Sequence, residues 1–269
     1  MSQFTTNKKI KLFQDKNKIQ VALSCVILLF LWQIIAVKIN NEIYLPTLGQ
    51  VFTSIKEIVL EDRFILDIFS TISRCILSFI IALVVAFILG IISYSFNIFK
   101  NFLTPITCLA RSIPNMVLIV LTLIWFNKES APYIVVFIMV FPVLYDAVLG
   151  AMKNINKSIL EMAELYKISR KDKILKIYLP AIKFSLISIL SSTISLGFKI
   201  VIAGEVYGQP LYGIGAMIQS EKVNFNTTAI FAWIIIIVII SSLLNVIEKL
   251  LLRRAFVSVS YTHLTLPTT

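Results

Sequence analysis

Three stretches of this chain, 19–37, 76–99 and 223–247, contain no Asp, Glu, Lys or Arg. Each is long enough to cross about 30 Å of hydrocarbon as a helix. No water-soluble fold accommodates three such runs, and only 14% of the 269 residues are charged, where a soluble domain carries nearer a quarter. The fold class is therefore all-α, an integral protein that crosses the membrane several times.

The net charge of +11 raises the question of nucleic acid, and its placement answers it. The whole excess sits in three segments, 1–18, 150–183 and 248–254, each beside an apolar run. Basic residues flanking spans follow the positive-inside pattern and do not form a stripe for a phosphate backbone. All three segments read as cytosolic, so no nucleic-acid partner is expected and both chain ends lie inside. Two cytosolic ends require an even number of spans, and six fit.

The expected order is as follows. A basic cytosolic arm occupies 1–18, and a retained first span 19–37 has too long an apolar part for a cleaved signal peptide. The membrane region occupies 19–255. The connection from Lys38 to Asp67 holds more acids than bases, which suits the outer side. Inside it, Thr47 and Gln50 have capping-box spacing ahead of an apolar stripe at helical period, which predicts a short interfacial helix. Spans follow at about 68–95, 102–126, 132–149, 181–203 and 228–252. Residues 204–228 read as a glycine-rich outer connection, with Gly204 and Gly208 in a loop or re-entrant turn in preference to a helix-packing face. The segment 256–269, ending YTHLTLPTT, has neither period nor basic anchor. It reads as a non-native tail resembling translated sequencing adapter, and His263 lies in it.

Spans three, four and five have short uncharged cores and must each admit an ionisable residue: Arg111, Asp146 or Lys199. Charge at membrane depth is costly and faces a protein interior or a wet cavity, so these spans should build a polar interior. Cys25, Cys75 and Cys108 sit in apolar runs with no CxxC pair; they read as small hydrophobes, and no metal site is expected.

Between the fourth and fifth spans lies EMAELYKISRKDKILKIYLP, Glu161–Pro180. Glu161 and Ala163 open it, Lys167 stands at its seventh position, and Ile177, Leu179 and Pro180 close it. This spacing resembles the EAA loop of ABC-importer permeases. LPTLGQVF at 45–52, Arg74 in STISRCILSF, RSIPNMVLIVLTLIWF at 111–126, FPVLYDAVLGA at 141–151 and YGIGAMI at 212–218 are similar to the nitrate/sulfonate/taurine branch. The resemblance covers about 44–254.

The resemblance implies a type I importer bundle like that of the methionine-importer permease, with six spans and both ends inside. It implies a coupling loop at about 150–180 in which Glu161, Ala163, Lys167, Ile177, Leu179 and Pro180 meet a cytosolic ATPase. No P-loop occurs in the chain, so the chain itself is not expected to be an enzyme or to bind a cofactor; ATP and Mg²⁺ would be used by the partner ATPase. An extracytoplasmic solute-binding protein, a second permease copy forming a homodimer, and membrane lipid complete the expected partners, in a bacterial inner membrane. The family has glycine where this chain has Lys167. A left-handed residue there costs lysine roughly 1 kcal/mol, so the turn is either made differently or strained. Pro180, lacking an N–H, is expected to set the joint between the loop and span five.

Arg111, Asp146, Lys199 and Glu205 are the candidates for the translocation path. For Arg111 the alternatives are attraction of an anionic solute, a structural pair with an acid, or snorkelling to the cytosolic face. Asp146 reads first as a structural acceptor. Gly213 and Gly215 are candidates for an outer turn or gate. The functional reading is a transmembrane permease subunit for a small nitrate-, sulfonate- or taurine-like solute. The alternative is a self-contained secondary transporter or channel.

Overall fold

The structure is a computed structural model that describes the backbone of residues 3–260 and the side chains of residues 19–250. The described residues are helical: α1 Gln3–Ile39, α2 Leu48–Leu60, α3 Phe64–Ser95, α4 Asn97–Ser112, α5 Asn115–Trp125, α6 Ala131–Lys153, α7 Lys157–Leu165, α8 Arg170–Lys173, a π-helical turn Ile174–Tyr178, α9 Leu179–Gly208, α10 Ile214–Val223 and α11 Thr227–Ser260. The adapter-like tail expected from 256 begins inside α11, and positions 261–269 lie outside the described residues, as do the side chains of the basic arm.

The chain divides into two compact units. One holds α1 and α2, through Glu61, together with Glu221–Ile235. Here Trp32 donates its indole N–H to the carbonyl of Pro46 at 3.0 Å and its ring meets Phe231 at 5.2 Å between centroids. Helix α2 begins as the spacing predicts: Thr47 accepts from the N–H of Gln50, and the Gln50 side chain reaches back to the N–H of Thr47 at 2.8 Å. This reciprocal cap satisfies two N–H groups that no helical carbonyl can reach.

The second unit holds Asp62–Ser220 and the remainder of α11 from Ile236. Its frame is α3, α6 and α9. Near the start of α3, Arg74 pairs with Glu129, two residues before α6 begins. At the other end Gly90 lies against Val148 and Leu149. Helices α3 and α6 therefore run parallel. Helix α9 runs the opposite way, with Tyr178 packed edge-on to Tyr94, Ser185 donating to the carbonyl of Ala147, Gly197 facing Cys75, Val136 and Val140, and Glu205 reaching Arg74. Small residues at these crossings let the backbones approach, the usual way helices adhere where lipid removes the hydrophobic drive. A side chain on Gly90 would bring its Cβ to 2.6 Å from a Val148 methyl.

Two expectations change. The third span is not one straight helix: α4 and α5 meet at 107°. The cause is Pro114, which forces Ile113 out of helical geometry (φ −75, ψ 129). Five helices are long and apolar enough to cross a membrane, and six crossings result if the bent pair counts as one. The parallel course of α3 and α6 decides that count, because α4 and α5 must carry the chain from the Ser95 end of the bundle back to the Glu129 end. The second change concerns 204–228, which is helical over most of its length. Gly204 and Gly208 lie on α9 and face Pro132 and the Leu123 side chain respectively. They form a packing face, not a loop.

This order of elements predicts a labelling pattern. Single cysteines placed at Ser95 and Asn154 should react with an impermeant maleimide from one side of sealed vesicles, and cysteines at Lys128 and Leu211 only from the other. Equal labelling of Asn154 and Lys128 from one side would show that α4 and α5 do not cross.

Candidate functional site

On α3 the residues Arg63, Asp67, Thr71 and Arg74 recur at four-, four- and three-residue intervals, one face of the helix. That polar stripe in an apolar helix holds the segment after α9. Arg63 pairs with Asp67 at 3.0 Å and donates to the carbonyl of Leu211 at 2.7 Å. Asp67 accepts from the N–H of Gly213 at 2.8 Å, and the Thr71 hydroxyl accepts from the N–H of Ile214 at 2.9 Å. Arg74 donates to the carbonyl of Tyr212 at 2.6 Å and pairs with both Glu205, at 2.8 Å, and Glu129, at 2.9 Å. Glu129 in turn accepts from the N–H of Leu211 at 2.7 Å.

At the centre lies Glu205, with 0% of its surface exposed. Its carboxylate accepts from Arg74, from Thr71 and from the N–H of Gly215 at 3.0 Å. Glu205 was a candidate for the path, but it is enclosed within the chain and engaged on both oxygens. Gly213 and Gly215 belong to the same assembly. Gly213 has φ +151, and a Cβ there would meet the Glu205 carboxylate at 2.6 Å. A Cβ at Gly215 would strike the carbonyl oxygen of Ile202. Glycine is required at 213 because the turn lies directly on the buried carboxylate, and at 215 because the chain abuts the backbone of α9. The backbone of 211–215 is thereby tied to α3, α9 and the start of α6 by charge-assisted hydrogen bonds, the strong class.

Arg111 and Asp146 are brought together. They form an ion pair across the α4–α6 contact, and Arg111 also donates to the carbonyl of Pro142 at 2.6 Å. Both side chains remain about half exposed. Lys199 is separate: it is exposed on α9, and among the described residues no carboxylate pairs with it. Helix α9 is continuous through both positions, so Lys199 and Glu205 point to different faces.

The loop 157–180 is resolved into α7, a turn, α8 and the π turn. Helix α7 starts at Asn156, whose side chain accepts from the N–H of Ser158. It ends in a Schellman arrangement: the N–H of Ile168 bonds to the carbonyl of Ala163 at 3.0 Å, and that of Lys167 to Glu164 at 2.9 Å. Lys167 has φ +48. The chain thus makes the left-handed turn glycine would make, with lysine in place. Ser169 caps α8, and Lys173 reaches back to Glu164 at 3.8 Å. Ala163 is fully buried while Glu161 and Lys167 are exposed; Leu179 is exposed, and Ile177 and Pro180 are half-buried.

Pro180 does not break the helix. From Arg170 to Gly208 the chain is one helical segment, long and apolar enough to cross a membrane, and the N–H of Leu179 bonds to the carbonyl of Ile174, five residues back. The wider π turn precedes Pro180, which occupies the first turn of α9, where a missing N–H costs nothing. The joint between loop and span is a π turn.

Among these groups Arg63, Asp67, Thr71 and Glu129 were not picked out from the sequence as site residues, and Arg74 appeared only within a motif. The periodic stripe on α3 was the available signal. Its partners lie more than fifty residues away along the chain.

The sequence profile described as binding-protein-dependent transport system inner membrane component matches residues 79–257. The chain belongs to that family, and it is a multi-pass permease subunit of an ABC importer. Among its relatives is a putative aliphatic sulfonates transport permease protein of Bacillus subtilis, 22% identical over 85% of this chain and 83% of the relative. The taurine transport system permease protein of Escherichia coli is 23% identical over 87% and 89%, and a nitrate import permease protein of Leptolyngbya laminosa is 24% identical over 70% and 67%. A solved structure of the MetNI methionine ABC transporter in inward-facing conformations superposes with a TM-score of 0.62 at 16% identity, covering 71% of this chain and 95% of that one. It shows the same type I fold.

Two outcomes follow from the site. Replacing Arg74 by Met strands the fully buried Glu205 carboxylate and should destabilise the protein by about 3–5 kcal/mol, whereas the double change Arg74→Met with Glu205→Leu should cost less. Glu205→Ala, which leaves Arg74 paired with Glu129, should also cost less than Arg74→Met, and thermal unfolding in lipid nanodiscs measures all three. In the loop, Lys167→Gly should leave stability unchanged or raise it by about 1 kcal/mol, since the left-handed penalty disappears. Lys167→Val should lower it, and limited proteolysis between α7 and α8 reads both.

Proposed function

We propose that this permease forms, with a second copy, the path for a small anionic solute of the sulfonate, taurine or nitrate kind, delivered by an extracytoplasmic binding protein in a bacterial inner membrane. ATP hydrolysis by a separate ATPase seated on the loop 157–178 drives it. The observation that carries the anionic reading is the outward face of α9. Phe184, Ser188, Ser192 and Lys199 are exposed along it, with half-exposed Ser195 between the last two, at spacings that bring them onto one stripe. A lysine and three hydroxyls on a membrane helix are poor neighbours for lipid and suit a wet cavity. One positive charge is complementary to a singly charged oxyanion, and the hydroxyls, which here donate to the carbonyls of Ser185 and Ile189 and to Asn245, can rotate toward such a solute. The sulfonate, taurine and nitrate permeases among the relatives support the same cargo class.

The coupling reading has separate support. Met162, Leu165 and Tyr166 are exposed beside exposed Glu161 and Lys167, so α7 and its end offer an apolar surface flanked by charge, while fully buried Ala163 seats the helix on the rest of this chain. The adjoining π turn joins this loop to α9 as one helical segment. A push on the loop would therefore reach the helix that bears Lys199.

The test is purification of the tagged permease in mild detergent with its bound partners, followed by uptake of a labelled small sulfonate into proteoliposomes. Glu161→Lys, at an exposed position of α7, should release the ATPase. Lys199→Glu should retain the ATPase and reduce uptake about tenfold or more. Undiminished uptake by Lys199→Glu would remove the anion path, and ATP-independent flux by the permease alone would remove the coupling.

A further inference from the structure

Glu248 lies in the inner part of α11 with 5% of its surface exposed, and among the described residues neither carboxylate oxygen has a hydrogen-bond partner. It borders a cavity of about 220 Å³ between α3, α9 and α11, whose walls include Cys75, Phe79, Leu190, Ile194 and Leu244. The polar group one turn earlier on the helix is engaged elsewhere: Asn245 accepts through its side-chain oxygen from Ser195 at 3.2 Å and Ser191 at 3.5 Å. Asn245 meets the Lys199 face only through Ser195, and the cavity walls share no residue with that face or with the clamp around Glu205.

Buried carboxyls in membrane bundles are paired with one another, with cations or with backbone, and leaving one without a partner costs several kcal/mol by the general rule for buried polar groups. Glu248 therefore calls for a donor that the described chain does not supply, and the adjoining space is where such a donor would sit. We propose that this cavity is a binding site for a compact lipophilic ammonium ion, its charged head on Glu248 and its hydrocarbon body against Phe79, Leu190 and Ile194. A metal ion is a poor fit, because hard cations require six or more oxygen ligands and the walls around Glu248 are apolar. A drug-sized ligand is also a poor fit. The cavity exceeds the roughly 150 Å³ that holds benzene and falls short of the roughly 300 Å³ at which drug-sized pockets begin. Occupation would wedge α11 against the two helices of the central frame, so the site is placed to influence transport without lying on the α9 polar face.

The experiment uses the full-length permease in lipid nanodiscs with tritiated 1-aminoadamantane as the probe. Saturable binding of one probe per chain is expected, with affinity lowered about tenfold or more by Glu248→Gln, the loss of one charge-assisted contact. The neutral isostere 1-adamantanol should bind the wild type and Glu248→Gln alike. Ile194→Trp, which fills the cavity and leaves the carboxyl, should abolish binding of both compounds. It also serves should the Gln variant fail to fold. Non-saturable uptake, equal amine affinity in the wild type and Glu248→Gln, or full binding by Ile194→Trp would each overturn the proposal. The anionic cargo and the ATPase coupling stand or fall independently of it.

Discussion

One buried charge pair organises the second unit. Glu205 has no access to solvent, and its neutralisation by Arg74 is what makes its position tenable, since an ion removed from water is stable only when its lone pairs and counter-charge are satisfied. The requirement propagates outward. To satisfy Glu205 the chain must turn back after Gly208 and present the N–H of Gly215, which needs glycine at 213 and 215. To satisfy Arg74 it must bring in Glu129 and the carbonyl of Tyr212. The start of α3, the start of α6 and the end of α9 are fixed together by the demands of one carboxylate.

That anchoring gives the bundle two ends of different character. At the Glu205 end, backbone and side chains are cross-linked by short polar contacts. At the Tyr94 and Tyr178 end the contacts are aromatic and aliphatic, with Val148, Met152 and Ile182 packed beside Phe87 and Ile91. A π turn lies there, next to the loop proposed above for coupling. Apolar packing is non-directional and tolerates small rotations, whereas a network of directed hydrogen bonds does not. Movement introduced at the loop would thus be taken up at the aliphatic end and resisted at the clamped one.

The bent pair α4–α5 shows a related economy. Pro114 removes an N–H and excludes helical geometry from the residue before it, and the two helices diverge at 107°. Arg111, at the end of α4, answers the break by reaching Asp146 and the Pro142 carbonyl on α6. Two ionisable residues that each looked expensive in a span are accounted for by each other.

Much of this was legible in the linear order of residues. The uncharged runs required spans, Thr47 and Gln50 specified the cap of α2, and the spacing from Glu161 to Pro180 marked the loop and the family. Each of these is a local property: it depends on hydrophobicity, period or backbone geometry within a few residues. The chain could not show by itself that Lys167 would adopt glycine's conformation, that a π turn would absorb Pro180, or that Gly204 and Gly208 would pack against Pro132 and Leu123. Nor could it show that Glu205 would be enclosed while Lys199, six residues before it, stays exposed. The first two are choices among backbone geometries open to the same local sequence. The glycine packing and the burial of Glu205 depend on side chains that meet from positions more than fifty residues apart, and a buried charge finds its partner through space, which only the packed helices define.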